Sequence, residues 1–120
     1  PLEMGGSKGR VEATGRSVMT TAIAALRKLG MDPAKSTVAV QGFGNVGSIG
    51  ARLLSQQGLK VIAISDRSGA YYNPNGILVH QAISYRDQNN GLLHGFTGGD
   101  AITNEQLLEL ECDVLAPCAM

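Results

Sequence analysis

The chain has 120 residues, 43% of them hydrophobic and 17% charged, which allows one buried core and excludes a disordered tail. Ten Lys and Arg balance ten Asp and Glu, which excludes the basic field that nucleic acid or an anionic membrane surface requires. The two cysteines, Cys112 and Cys118, make neither a disulfide framework nor a metal site, and point to reduced thiols in a cytoplasmic protein.

The first ten residues are glycine-rich and mixed in charge, and read as a loop. They carry no signal-peptide pattern and no initiator Met, so the chain reads as processed or excised from something longer. From about Val11 the pattern turns helical: Val18, Met19, Ala22, Ile23, Leu26 and Leu29 recur at three- and four-residue steps. Arg27 and Lys28 suit the last turn of such a helix, and Gly30 with Asp32-Pro33 stops it. Ser36 to Gln41 is β-branched and reads as a buried strand. After Gly42-Phe43-Gly44-Asn45-Val46-Gly47 a second helix follows, with Val46, Ile49, Gly50, Leu53 and Leu54 inward and Gly58 as its stop. Lys60 to Asp66 is a second apolar strand. Strand, helix and strand span about 30 residues, the size of a βαβ unit.

Beyond Asp66 the pattern shortens. Ser68-Gly69 is a turn, Ala70-Tyr71-Tyr72 a brief strand and Asn73 to Gly76 another turn. A third helix is predicted over Ile77 to Gln88, with Val79, Ile83 and the stem of Arg86 inward, ended by Asn89-Asn90-Gly91. Leu92 to Asp100 reads as irregular. Thr103 and Gln106 have the spacing of a capping box at the head of a short helix, Asn104 to Leu110. Cys112 to Ala116 is the last apolar strand, stopped by Pro117.

The Gly-x-Gly-x-x-Gly spacing carries weight because it follows a predicted strand and opens a predicted helix. In that setting Gly42 permits a tight turn, Gly44 lets a pyrophosphate approach the backbone, and Gly47 lets helix and strand pack closely. The helix N-terminus presents unpaired N–H groups and a partial positive charge to the phosphates. Asp66 ends the second strand nineteen positions after Gly47. Its carboxylate suits the ribose hydroxyls of NAD, or else it caps the Ser-Gly turn that follows. Arg67, next in sequence, suits the 2′-phosphate of NADP instead.

Five ordered motifs resemble the glutamate dehydrogenases of the Glu/Leu/Phe/Val dehydrogenase family. They are Gly5 to Arg16, Val40 to Gly47, Ser65 to Gly76, Ile102 to Glu105, and Cys112 to Pro117. The first is shared with the glutamate enzymes rather than the leucine, phenylalanine and valine ones, so glutamate is the expected substrate. Ser17, where the family more often has glycine, is a small departure. The resemblance implies an α/β fold, an incomplete Rossmann-like domain with a mostly parallel sheet, helices on both faces and one short antiparallel strand, Ala70 to Tyr72. Cys112 to Ala116 would lie parallel beside the first strand and leave an open edge.

Residue by residue, the resemblance implies that Thr14 and Asn45 contact the nicotinamide end of the cofactor. Gly42, Phe43, Gly44, Asn45, Val46 and Gly47 would form the pyrophosphate turn, Asp66 and Arg67 would face the adenosine ribose, and Ala116, Pro117 and Cys118 would line the nicotinamide side. No catalytic residue is assigned, because the family's catalytic lysines and aspartate belong to an upstream substrate domain absent from residues 1–120. Lys8 sits in a Gly-Gly-Ser-Lys-Gly segment, but the Glu-Ala-Thr-Gly-Arg after it places it in the later, cofactor-side motif.

The expected function is therefore the NAD(P)-binding part of a glutamate dehydrogenase. NAD is the expected cofactor with NADP left open, L-glutamate and 2-oxoglutarate are the partners of the full enzyme, and a homo-oligomer, a hexamer by resemblance, is the expected assembly. The competing reading is a stand-alone dinucleotide-binding or redox-sensing module without catalysis.

Overall fold

The computed structural model describes residues 8–118. The loop reading of residues 1–7 lies outside them, as do residues 119 and 120. Helix α1 (Lys8–Lys28) leads, and a short 3-10 turn (Pro33–Lys35) joins it to strand β1 (Thr37–Gln41). Helix α2 (Asn45–Gln56) and strand β2 (Lys60–Asp66) complete the βαβ unit. Strand β3 (Gly69–Tyr72), helix α3 (Val79–Gln88), strand β4 (Asp100–Ile102), helix α4 (Asn104–Leu108) and strand β5 (Val114–Pro117) follow.

The five strands form one sheet in the order β4-β3-β2-β1-β5. β1 pairs in parallel with β2 and β5, while β2–β3 and β3–β4 are antiparallel. The expected α/β architecture is present, with the antiparallel partner of β2 and the parallel partner of β1 where the resemblance put them. Side-chain alternation along β1 separates two cores. Val38 and Val40 face a large cluster with Leu26 of α1, Ala51 and Leu54 of α2, and Ala82 of α3. Ala39 faces the opposite side, where Ala63 and Ala70 meet Leu107 of α4. Helices thus lie on both faces, but unequally: three cover the branched face, and the five-residue α4 packs on the alanine-lined one.

Several boundaries differ from the sequence expectation. α1 begins at Lys8 rather than near Val11; its first turn carries no apolar periodicity to betray it. α3 begins at Val79 rather than Ile77, because the Ile77 amide donates to the Val61 carbonyl at 2.6 Å and so holds that residue against β2. β4 falls in the stretch read as irregular. It is only three residues long, and it exists because Tyr72, Tyr71 and Ala70 offer it a pairing edge. α4 ends at Leu108, not Leu110. The last strand starts at Val114, not Cys112, and Pro117 belongs to it, opposite Gln41. A proline is tolerated there because β5 is an edge strand whose alternate N–H positions face outward.

The register of that edge strand is set at its start. Asp113 Oδ2 accepts from the Thr37 amide at 2.9 Å and from Thr37 Oγ1 at 3.4 Å, and the Asp113 amide donates to Thr37 Oγ1 at 3.1 Å. Replacing Asp113 with alanine leaves the Thr37 amide to water. Urea unfolding of Asp113→Ala should show a loss of about 1 kcal/mol; an unchanged midpoint would mean that the strand pairing alone fixes the register.

Candidate functional site

The chain leaves β1 at Gln41 and turns at once. Gly42 has φ +94°, a conformation open to glycine and strained for other residues. Both the Gly42 and the Phe43 amide donate to the Ser65 carbonyl of β2, at 2.9 and 2.6 Å. Gly44 is the N-cap of α2 and brings no capping side chain. The first helical bond runs from the Ser48 amide to the Gly44 carbonyl at 2.9 Å, so helix geometry leaves the amides of Asn45, Val46 and Gly47 without intrahelical partners.

The three motif glycines have distinct surroundings. A Cβ added at Gly44 would meet nothing within 4 Å, whereas one at Gly47 would overlap the Gly42 carbonyl oxygen and come within 3.4 Å of Cys118 Cβ. The turn is therefore closed on its protein side and open on its outer side, next to a helix N-terminus. That is a cradle of the shape and polarity a diphosphate requires. It also sits where the strand order reverses, β2 on one side of β1 and β5 on the other, the place where open parallel sheets accept ligands.

The expected site residues fall into two neighbouring hollows. Gly42, Phe43, Gly44, Asn45, Val46, Asp66, Arg67 and Cys118 line one cleft of about 390 Å³. Thr14, Ala116 and Pro117 instead line an apolar groove of about 400 Å³ between α1 and β5, together with Val18 and Leu115. Gly47 lies buried beneath the turn. Phe43 borders the cleft yet is fully buried, its ring in the main core. Gly91 and Leu92 complete the cleft wall; nothing at their positions in the sequence signals this, since the α3–β4 loop reaches the cleft only through tertiary bonds.

Asp66 makes those bonds. Its Oδ1 accepts from the Ser68 amide at 2.7 Å and from Ser68 Oγ at 2.6 Å, so it caps the turn into β3. Its Oδ2 accepts from the Leu93 amide at 2.8 Å. Next to it, the His94 amide donates to Ser68 Oγ at 3.0 Å and the Gly95 amide to the Tyr71 hydroxyl at 3.0 Å. Of the two residues read at this strand end, Arg67 is the exposed one. Tyr71 is buried and packs edge-on to Phe96 at 5.8 Å, as a core residue rather than a base-stacking platform. His80 and His94 are exposed.

Burial pushes the Cys118 thiol above its ordinary range, and burial also raises that of Cys112, with Asp113 adding to it. Neither thiol is set up as a nucleophile, which needs a lowered value. Among the described residues no group of three or more metal-ligating side chains occurs, and no helix is long and apolar enough to cross a membrane.

An open α/β sheet with a glycine turn at its switch point defines a Rossmann-like domain. The sequence profile described as Glutamate/Leucine/Phenylalanine/Valine dehydrogenase matches residues 5–120, and the chain belongs to that family. It is 53% identical over 121 aligned positions to the glutamate dehydrogenase of Thermotoga maritima, covering 100% of this chain and 29% of that protein. It is 43% identical over 120 positions to the NADP-specific glutamate dehydrogenase A1 of Halobacterium salinarum, covering 99% and 28%. Among solved structures it resembles the hetero-hexameric glutamate dehydrogenase of Thermus thermophilus in its Leu-bound form, with a TM-score of 0.80 at 30% identity, over 99% of this chain and 27% of that one. The glutamate dehydrogenase of Plasmodium falciparum gives 0.78 at 29% identity, over 97% and 26%. The chain thus spans less than a third of the length of these relatives.

Two measurements check this site. Gly47→Ala should destabilise the fold by about 1–3 kcal/mol through overpacking against the Gly42 carbonyl, while Gly44→Ala should leave the thermal midpoint nearly unchanged; equal effects would mean the two glycines are not asymmetric. Alkylation of Cys118 by iodoacetamide, followed by peptide mapping, should go on accelerating above the pH at which a free thiol levels off, because a raised pKa keeps the thiolate fraction from saturating. A plateau at or below that pH would contradict the burial.

Proposed function

We propose that residues 1–120 are part of the dinucleotide-binding domain of a glutamate dehydrogenase. Its reaction would be the oxidative deamination of L-glutamate to 2-oxoglutarate and ammonia, with NAD(P), when bound, supplying the hydride acceptor at nicotinamide C4. The observation that carries the reading is the asymmetry of the turn. Gly44 leaves its outer side open to a diphosphate, and Gly47 closes its inner side. Family membership and the names of the relatives support glutamate as the substrate and favour an enzyme over a stand-alone binding module.

On this reading the residues divide the work of holding the cofactor. The amides at the start of α2 bind the diphosphate, and Asn45 offers its side-chain amide nearby. Asp66 and Arg67 face the adenosine ribose. Ala116, Pro117 and Cys118, at the end of β5, wall the nicotinamide side and keep water from it, with Thr14 opposite on α1. The lysine and aspartate that would move protons on the substrate belong to a substrate domain outside these residues. NAD is the proposed cofactor; NADP is the alternative, supported by Arg67 next to Asp66 and by one relative that is named NADP-specific. Assembly into a hexamer is proposed from the Thermus thermophilus relative, whose name states it.

Calorimetry with NAD and with NADP tests the reading. The folded protein should bind at least one of them, and Gly44→Val, which places a branched side chain in the open side of the turn, should abolish binding while circular dichroism stays unchanged. Undiminished affinity in the folded variant would rule out this turn as the diphosphate site. Residues 1–120 by themselves should not oxidise glutamate, since proton-transfer groups commonly contribute about 10²–10⁴-fold each.

A further inference from the structure

Arg86 lies on α3, 42 positions from Gly44, and no motif includes it. Its side chain is only 11% exposed, and its bonds are specific. Nη1 donates to the Gly44 carbonyl at 3.1 Å and to the Phe43 carbonyl at 3.4 Å. Nε and Nη2 donate to Asp87 Oδ1 at 3.2 and 2.9 Å. The guanidinium carbon sits 5.7 Å from the centre of the Phe43 ring, within the range of a cation–π contact. The carboxylate and the ring hold the guanidinium, and the guanidinium holds two carbonyls of the turn.

Those carbonyls determine where the turn's amides point. A trans peptide is planar, with its N–H directed opposite to its C=O. The Phe43 carbonyl shares a peptide with the Gly44 amide, and the Gly44 carbonyl shares one with the Asn45 amide. Holding both carbonyls on the Arg86 side therefore directs the Gly44 and Asn45 N–H groups away from it. Gly44 and Asn45 line the cleft, whereas Arg86 is not among its lining residues. Hydrogen bonding of a cation to each carbonyl also polarises the peptide and strengthens its N–H as a donor.

We propose that Arg86 is a positioning residue for diphosphate recognition: from α3 it aims and polarises the Gly44 and Asn45 amides that receive the phosphates, without touching the ligand itself. This rests on the dinucleotide reading above. It explains why a cationic side chain is nearly buried beside a turn whose own residues carry no charge. It also assigns to α3 a part in the site that its sequence does not announce.

The test compares two probes in the native full-length protein by calorimetry: ADP-ribose, which carries the diphosphate, and adenosine, which does not. Arg86→Met keeps the packing volume and removes the donors. It should weaken ADP-ribose binding by about ten- to a hundredfold, the scale of lost hydrogen bonds from a charged group, while adenosine binding changes less than about twofold. Arg86→Lys, which keeps a charge and one donor, should recover part of the loss; if Arg86→Met fails to fold, the lysine variant carries the test through the same selective, smaller loss. ADP-ribose affinity that is unchanged, or that falls in parallel with adenosine, overturns the role of Arg86 and leaves the dinucleotide reading standing. If the unaltered protein binds ADP-ribose no better than adenosine, the dinucleotide reading itself fails and the role of Arg86 with it.

Discussion

A side chain at Gly47 would overlap the Gly42 carbonyl oxygen, so α2 starts in backbone contact with the turn that ends β1. The other contacts at the switch point depend on that closeness. β2 holds the turn from one side through the Ser65 carbonyl, which accepts both the Gly42 and the Phe43 amide. β5 holds the end of β1 from the other, through the Cys118 amide to the Gln41 carbonyl at 2.6 Å. Three strands and a helix thus converge within one turn, and the backbone that remains open is the short outer arc at Gly44 and Asn45. Sites supported in this way by regular elements keep their geometry better than sites on free loops.

The parts of this arrangement legible in the sequence are those whose causes are local. Lys60 to Asp66 is a run of apolar residues ended by a turn signal, and it forms β2 with those bounds. Thr103 and Gln106 make the capping box that their spacing predicts, with the Gln106 amide donating to Thr103 Oγ1 at 3.0 Å and the Thr103 amide to Gln106 Oε1 at 2.9 Å. The tight turn at Gly42 and the close helix–strand packing at Gly47 follow from the spacing of these glycines between a strand and a helix. Each of these features needs only neighbours within a few positions.

What the sequence does not announce comes from contacts between distant segments. β4 has too few apolar residues to signal a strand and forms because β3 offers an edge. Ile77 reads as helix, yet its amide belongs to β2. Phe43 is read as part of the pyrophosphate turn, but its side chain is fully buried and lies against a guanidinium contributed by α3. Leu92 becomes part of a cleft wall because Asp66 and Ser68 bond the amides that follow it. In each case the decisive partner is tens of residues away or belongs to another layer, where local periodicity carries no information.

Asp66 shows how a motif residue can have two readings that are compatible in chemistry and unequal in strength. An ionised carboxylate offers about four acceptor sites. Three are already engaged, by the Ser68 amide, the Ser68 hydroxyl and the Leu93 amide. The turn-cap reading is therefore part of the fold, and on the dinucleotide reading one site, not two, is left for a ribose hydroxyl. A carboxylate that accepts from both hydroxyls of a ribose discriminates strongly against a 2′-phosphate; one that accepts from a single hydroxyl does so less. Its negative charge is also offset by three donors aimed at it, and the cation beside it, Arg67, is exposed. On the dinucleotide reading, discrimination between NAD and NADP would then depend less on the presence of Asp66 than on how firmly Ser68 and Leu93 hold it and on where Arg67 reaches.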